Sequence, residues 1–539
     1  MNPLRIIRQG VRLSTLIGIT CSLVFVLLFA LLGSTTPTQA DGNFLRVPDD
    51  YSTIQQAIDA AQPGDEIRIV GGGFEEALFV SKSITLSGGW NSVFTGTSPM
   101  YTTVNVNGLS RGITISRTNG DVAVAINGFA VLNGDATGLG GVILSDAQVA
   151  AVGAPAMVTA ASAPDLTATA AQARIHLAEL AAQGRLPAGD TALPAILVRL
   201  DRLTAQASVV TAPTAFTAGG VADCGGAIYV RGASLRLTGS LLGKDTGPNV
   251  ASRTGLGAGG ALCAVDIPPA GLYLQKVQIE HNTASLAAYG LGGAVFVSTT
   301  APSAIHFEDF GIYNNVASRG GGGAGGGIYV YDVPGAVLQG GGIEYNLASA
   351  AGTSGYGGGV AIVNSPRTQF ADLEFIANSA NAAWSPLGLS VAYGFGGALS
   401  IIESDDVVIA DSVNFLQNQA ALHGQGTGGG LYAENGTGLR IDGAVFQENW
   451  SIVYPYQFEG GQSGGGGIAL QNTQDTQVTA TLAGNQVAVF NQYCQDVYGG
   501  ALFGVGVDNF RLTGSQVSGN TGGGCDGAAR PVAYGAVAL

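Results

Sequence analysis

One histidine in this chain stands close to two acids. His306, Glu308 and Asp309 form its densest titratable group. A base beside carboxyl groups is what proton transfer requires. The competing reading is a solvated strand face. Glu403, Asp405 and Asp406 form a second acidic cluster. Calcium needs several converging carboxylates and is the one cofactor this cluster suggests; the plainer reading is an acidic turn. Aromatic residues gather in variable segments: Trp384, Tyr393, Trp450, Tyr454 and Tyr456. Rings exposed on loops over a rigid scaffold suit sugar stacking or protein contacts. The alternative is that they fold back and cover the scaffold. Cys494 and Cys525 occupy corresponding loops of neighbouring repeats, so a disulfide is expected in an oxidising compartment. Cys224 and Cys263 lie out of lateral register by about five residues, roughly 16 Å at strand rise, too far to bond unless the loop folds back.

The elements that position these residues come from a repeat. Two glycines, a small residue and an aliphatic one begin at Gly225, Gly259, Gly292, Gly325, Gly357, Gly396, Gly428, Gly465 and Gly499, at intervals of 32 to 39 residues. A period of this size means one supersecondary unit per repeat, stacked in a line. Three residues after each first glycine the side chain is aliphatic, from Ile228 and Leu262 to Ile468 and Leu502. The next residue is mixed: Tyr229, Cys263, Phe296, Tyr329, Ala361, Ser400, Tyr432. Alternation with one constant apolar column is a strand with one buried face. Each repeat also carries an Asn, including Asn282, Asn315, Asn346, Asn378, Asn418 and Asn449. These are expected to stack as an amide ladder at a turn, where Asn tolerates the left-handed conformation. Another column, with Asp266, Asp332, Asn364, Glu403 and Asn435, reads as a second turn. Three short strands per repeat predict an all-β, right-handed parallel β-helix.

Two resemblances follow from these motifs. Gly225 to Ile228, together with Phe375 to Asn378, Phe415 to Asn418 and Phe446 to Asn449, resembles the paired repeat motifs of the polymorphic membrane proteins. Those are surface-displayed β-helix adhesins, so the resemblance implies binding at a cell surface. Residues 46–90 resemble the N-terminal cap of pectin-lyase-like β-helices. Ser52-Thr53-Ile54-Gln55 is a capping-box pattern, and Ile54, Ala57, Ile58 and Ala61 share one helical face before Pro63-Gly64. The resemblance implies polysaccharide lyases or glycoside hydrolases as the enzymatic alternative. A lyase needs a base and charge neutralisation; a hydrolase needs two carboxyls across a cleft. The Asn-Thr-Asp, Asp-Asp, Gly-His-Gly and Arg-Ile-Lys series of the polygalacturonase type is not in the sequence.

Four regions are expected. Residues 1–40 read as a signal peptide or N-terminal anchor: Arg5, Arg8 and Arg12 precede a long apolar run, and Thr38-Gln39-Ala40 suits cleavage. Membrane contact is expected only through residues 13–32, if uncleaved. Residues 41–144 hold the cap and first coils, and 219–539 the regular repeats. Residues 145–218 are Ala-rich with two helical stripes, through Leu177 and through Leu200, and predict an inserted helical hairpin. The last residues repeat Tyr498 to Phe503 one glycine short, which predicts an open apolar end that meets another copy end to end, a partner, or residues missing from an incomplete reading frame.

The 539 residues include 85 Gly, only 11% are charged, and the net charge is −15. That balance argues against nucleic acid as a partner, because phosphate binding needs a basic face. The expectation is a secreted or cell-surface, non-enzymatic scaffold that binds a polysaccharide or a surface protein.

Overall fold

The computed structural model describes residues 44–118, 120–143, 220–299, 304–352, 354–383, 392–455, 463–488, 497–522, 533–534 and 536–538. The expected signal peptide or anchor of residues 1–40 and the expected helical hairpin of residues 145–218 lie outside these residues. Among the described residues no helix is long and apolar enough to cross a membrane.

Each repeat closes one coil of a parallel β-solenoid. The coil beginning at Ile328 shows how. Ile328–Tyr331 joins a first sheet of 12 strands, one from each coil it includes. Asp332, in the left-handed region at φ 56°, turns the chain. Val337–Glu344 joins a second sheet of 20 strands and bends midway at Gly340, φ 66°. Tyr345, φ 56°, makes the next turn. Leu347–Ser349 and Ser354–Tyr356 then enter a third sheet of 18 strands. Gly357 and Gly358 return the chain to the first sheet. Coils pair in parallel and in register, with Ile328 opposite Val360 and Val330 opposite Ile362. Among the described strands one pair runs the other way: Gly141–Ile143 lies antiparallel to Val221–Cys224.

The main core lies between the first two sheets. Ile328, Val330, Leu338 and Ile343 are fully buried there. Phe375, Phe415 and Phe446 stack down the same interior with centroids 4.8 and 4.4 Å apart. Stacking of identical side chains in register is what a parallel solenoid rewards. Val337, not Leu338, stands in register with His306. Leu338 therefore faces the core rather than solvent.

The cap helix Ile54–Ala60 buries Ile54, Ala57 and Ile58. Its N-cap is Thr53, one residue later than the capping-box pattern suggested; Thr53 Oγ1 accepts from Gln56 N at 3.2 Å. Glu76 completes the cap by accepting from the Ile54 and Gln55 N–H groups at 2.8 and 2.9 Å. A carboxylate at this end also meets the positive pole of the helix dipole.

The asparagines form the expected ladder. Asn282, Asn315, Asn346, Asn378, Asn418 and Asn449 are buried, and each Nδ2 donates to the next Oδ1, at 3.0 Å from Asn315 to Asn346. The same Oδ1 accepts the preceding asparagine's backbone N–H, also at 3.0 Å. Every polar atom of these amides is thereby used. The turn conformation is a correction: the left-handed residue is the one before each Asn, namely His281, Asn314, Tyr345, Ala377, Gln417 and Glu448. Asn is required for its amide, while its neighbour absorbs the turn. The other turn column holds, with Asp266, Asp332, Asn364, Glu403 and Asn435 all at positive φ.

Candidate binding surface

The outward face of the second sheet carries the richest side chains. His306 stacks on Tyr273 with centroids 5.2 Å apart and an interplanar angle of 4°. The Arg236 guanidinium lies 5.7 Å from the Tyr273 ring centroid. Gln275 links the row to its neighbours: it accepts from Arg236 at 3.2 Å and donates to Glu308 at 2.9 Å. His306 and Glu308 thus share one face, but each is engaged with the preceding coil. Asp309 sits exposed at the strand bend, at φ 51°.

Past that bend lies a surface that the sequence reading missed. Tyr313 lies flat over Gly311: a Cβ at Gly311 would fall 2.3 Å from the ring. At Gly342 a Cβ would fall 3.0 Å from Glu344 Oε1 and 3.1 Å from the Tyr313 hydroxyl. Glycine is therefore the floor on which Tyr313 and Glu344 rest. Glu280 and Glu344 flank Tyr313 in register, and Glu374 stands beside Gly342. Burial raises the Tyr313 pKa first, and Glu344, Glu280 and Glu374 raise it further. The sequence signal was the Gly-Gly-Gly of residues 340–342 inside a strand, which marks close approach by another group.

The loop aromatics fare differently. Trp384 and Tyr456 lie outside the described residues, as does the side chain of Tyr454. Tyr393 is 37% exposed on the strand Tyr393–Phe395. Trp450 corrects the expectation: it is 1% exposed, because it begins a third-sheet strand in register with Gln419 and Gln486 rather than a loop. It is a packing residue and not a ligand platform.

The acidic cluster is spread along two turns. Glu403 and Asp406 both hold left-handed turn positions, and Asp405 accepts the Thr437 N–H at 2.8 Å. Among the described residues no three His, Cys, Asp or Glu side chains converge as a metal site.

Cys224 and Cys263 are bonded, with Cα atoms 5.5 Å apart. The sequence distance was measured along a straight strand. Gly225, at φ 67°, folds the chain between them, and a Cβ there would fall 3.2 Å from Cys263 N. Cys494 and Cys525 lie outside the described residues.

No family model matches the chain, and no curated protein matches it. Among solved structures, an exopolygalacturonase of Yersinia enterocolitica is similar at 11% identity and TM-score 0.27, covering 93% of this chain and 78% of that one. A polygalacturonase of Erwinia carotovora is similar at 12% identity and TM-score 0.20, covering 92% and 96%. A surface adhesin of Streptococcus pneumoniae is similar at 11% identity and TM-score 0.28, covering 86% and 88%. At such scores these likenesses say nothing of activity, and the parallel β-helix fold rests on the register of the chain's own strands.

Proposed function

We propose that this protein is an exported β-helix scaffold that binds a polysaccharide or a surface protein without transforming it. One observation carries the reading. Tyr273, His306 and Tyr313 present flat rings on the outward face of the second sheet, bordered by Glu308, Glu344 and Glu374. Flat rings suit the apolar faces of sugars, and carboxylates accept hydrogen bonds from their hydroxyl groups. His306 and Glu308 are held by Tyr273 and Gln275 rather than aimed across a cleft at one reacting atom. Export is supported by the basic and apolar leader and by the Cys224–Cys263 bond, which belongs in an oxidising compartment.

The test is a glycan and surface-ligand array, run beside a panel of acidic polysaccharides with and without calcium. Binding that weakens in Tyr273→Ala and Tyr313→Ala supports the scaffold. Turnover of any polysaccharide, abolished in His306→Ala, replaces it with a lyase or hydrolase.

A further inference from the structure

Arg319 stands where a charge should have a partner and, among the described residues, has none. It follows Ser318 in the turn that joins the two third-sheet strands of its coil. Its Nε and Nη1 atoms are shut off from solvent and carry no hydrogen bond. Uncompensated burial of a guanidinium is costly, and proteins avoid it by pairing or solvating the group.

Other arginines of the chain show what is missing. Ser252, Ser285 and Ser318 stand in register on successive coils, so Arg253, Leu286 and Arg319 occupy one position. Arg253 there bonds the carboxylate of Asp135. Arg111, also largely buried, gives its Nε to the Cys224 carbonyl at 2.8 Å and lies 4.6 Å from the centre of the Tyr229 ring. Arg319 has Leu286 on one side and Ala350 on the other, and neither side chain has an acceptor. This happens in a chain of net charge −15, where acids are plentiful.

The turn packs closely on the turns of the neighbouring coils. A Cβ at Gly320 would fall 2.8 Å from the Ala287 carbonyl oxygen. One at Gly352 would fall 2.2 Å from the Gly321 carbonyl carbon. The turn backbones are therefore in direct contact, and among the described residues no carboxylate is bonded to Arg319 Nε or Nη1. Nε and Nη1 are sealed in this state, but the residue as a whole keeps partial exposure, so a solvent anion would meet the side chain where it is open.

We propose that the Arg319 turn is an oxyanion-binding site, taking a carboxylate, sulfate or phosphate group in the place that Asp135 fills for Arg253. Burial lowers the Arg319 pKa to about 10, so the side chain stays cationic at neutral pH. The site is independent of the sugar-binding face of the second sheet and stands or falls without it.

The experiment is thermal unfolding of the full chain in sodium sulfate, sodium phosphate or sodium glucuronate, each against sodium chloride at equal ionic strength. At least one oxyanion should raise the wild-type Tm by roughly 2 °C or more over chloride. Arg319→Met should lose that increment, and Arg319→Lys should keep part of it. A sulfated polysaccharide and its desulfated form, added in parallel, distinguish a free anion from an acidic group on a polymer. A wild type indifferent to all of these anions overturns the proposal. So does an equal response in Arg319→Met. Should that variant fail to fold, the wild-type titration and Arg319→Lys still decide.

Discussion

The outward columns of the first and second sheets obey the same alternation and meet opposite fates. In the second sheet Arg236, Tyr273 and His306 reach solvent. In the first, Tyr229, Cys263, Phe296, Tyr329, Ala361 and Tyr432 are at most 6% exposed. The cause is the corner at the paired glycines, with Gly325 at φ 60° and only 2.2 Å between a Cβ there and the Ile328 carbonyl oxygen. That fold brings the last third-sheet residues of each coil, such as Cys224, Leu291, Ala324 and Tyr356, against the outward residues of the first sheet. A second apolar core forms outside the coil. Period-two patterning says which residues share a face; the sense of the corner decides whether that face is wet.

The largest expected effect is on alkaline stability. Burial raises the pKa of Tyr289, Tyr329, Tyr356 and Tyr432 above the ordinary value of 10.0. The protonated form is therefore favoured in the folded state. The stability this gives is complete below about pH 10 and is lost as pH rises from there toward the folded-state values. Each tyrosine costs about 1.4 kcal/mol per pH unit in that window, so the four together cost on the order of 6 kcal/mol near pH 11. Urea midpoints should fall steeply above pH 10, with tyrosine ionisation by absorbance tracking unfolding. Gradual ionisation of every tyrosine before unfolding would mean that the second core is open.

Truncation within that core comes next. Tyr329 is fully buried and stacks on Phe296 with centroids 5.7 Å apart. Tyr329→Ala should cost about 3–5 kcal/mol in urea unfolding. On the open face, Tyr273→Ala should cost under about 1 kcal/mol and act on ligand binding instead. Equal costs at the two positions would erase the distinction between the faces.

Much of this could be read from the sequence because it is periodic. The aliphatic column, the Asn ladder and the cap face each recur at fixed spacing, so Ile328, Asn346 and Ile54 were assigned from position alone. Features that depend on how the chain bends were not legible. Cys224 and Cys263 looked far apart because contour length ignores the fold at Gly225. Trp450 looked like a loop residue because the third-sheet strands are short and carry no alternation. Tyr313 escaped notice because its partner is the absence of side chains at Gly311 and Gly342.

The disulfide also bears on the comparison, since Cys224 and Cys263 both belong to the second core. They are 39 residues apart in sequence. Cross-links closing loops of this size contribute about 2–4 kcal/mol. Cys224→Ala, or reduction of the wild type, should lower stability by that amount. If reduction leaves the urea midpoint unchanged, the covered face does not depend on the bond.

The smallest effect is the most discriminating. The Tyr329 hydroxyl is buried and, among the described residues, has no hydrogen-bond partner. A buried polar atom left unpaired costs free energy, whereas its removal with the ring intact leaves the packing in place. Tyr329→Phe should therefore be neutral or stabilise the protein by up to about 1 kcal/mol. The same hydroxyl deletion at Tyr313 lies on the open face, where it should leave stability unchanged and weaken binding. Urea unfolding of both variants, read beside ligand affinity, sorts the two hydroxyls. A loss of more than about 1 kcal/mol in Tyr329→Phe would show that the second core holds a polar partner for that hydroxyl, and that the covered face is not purely apolar.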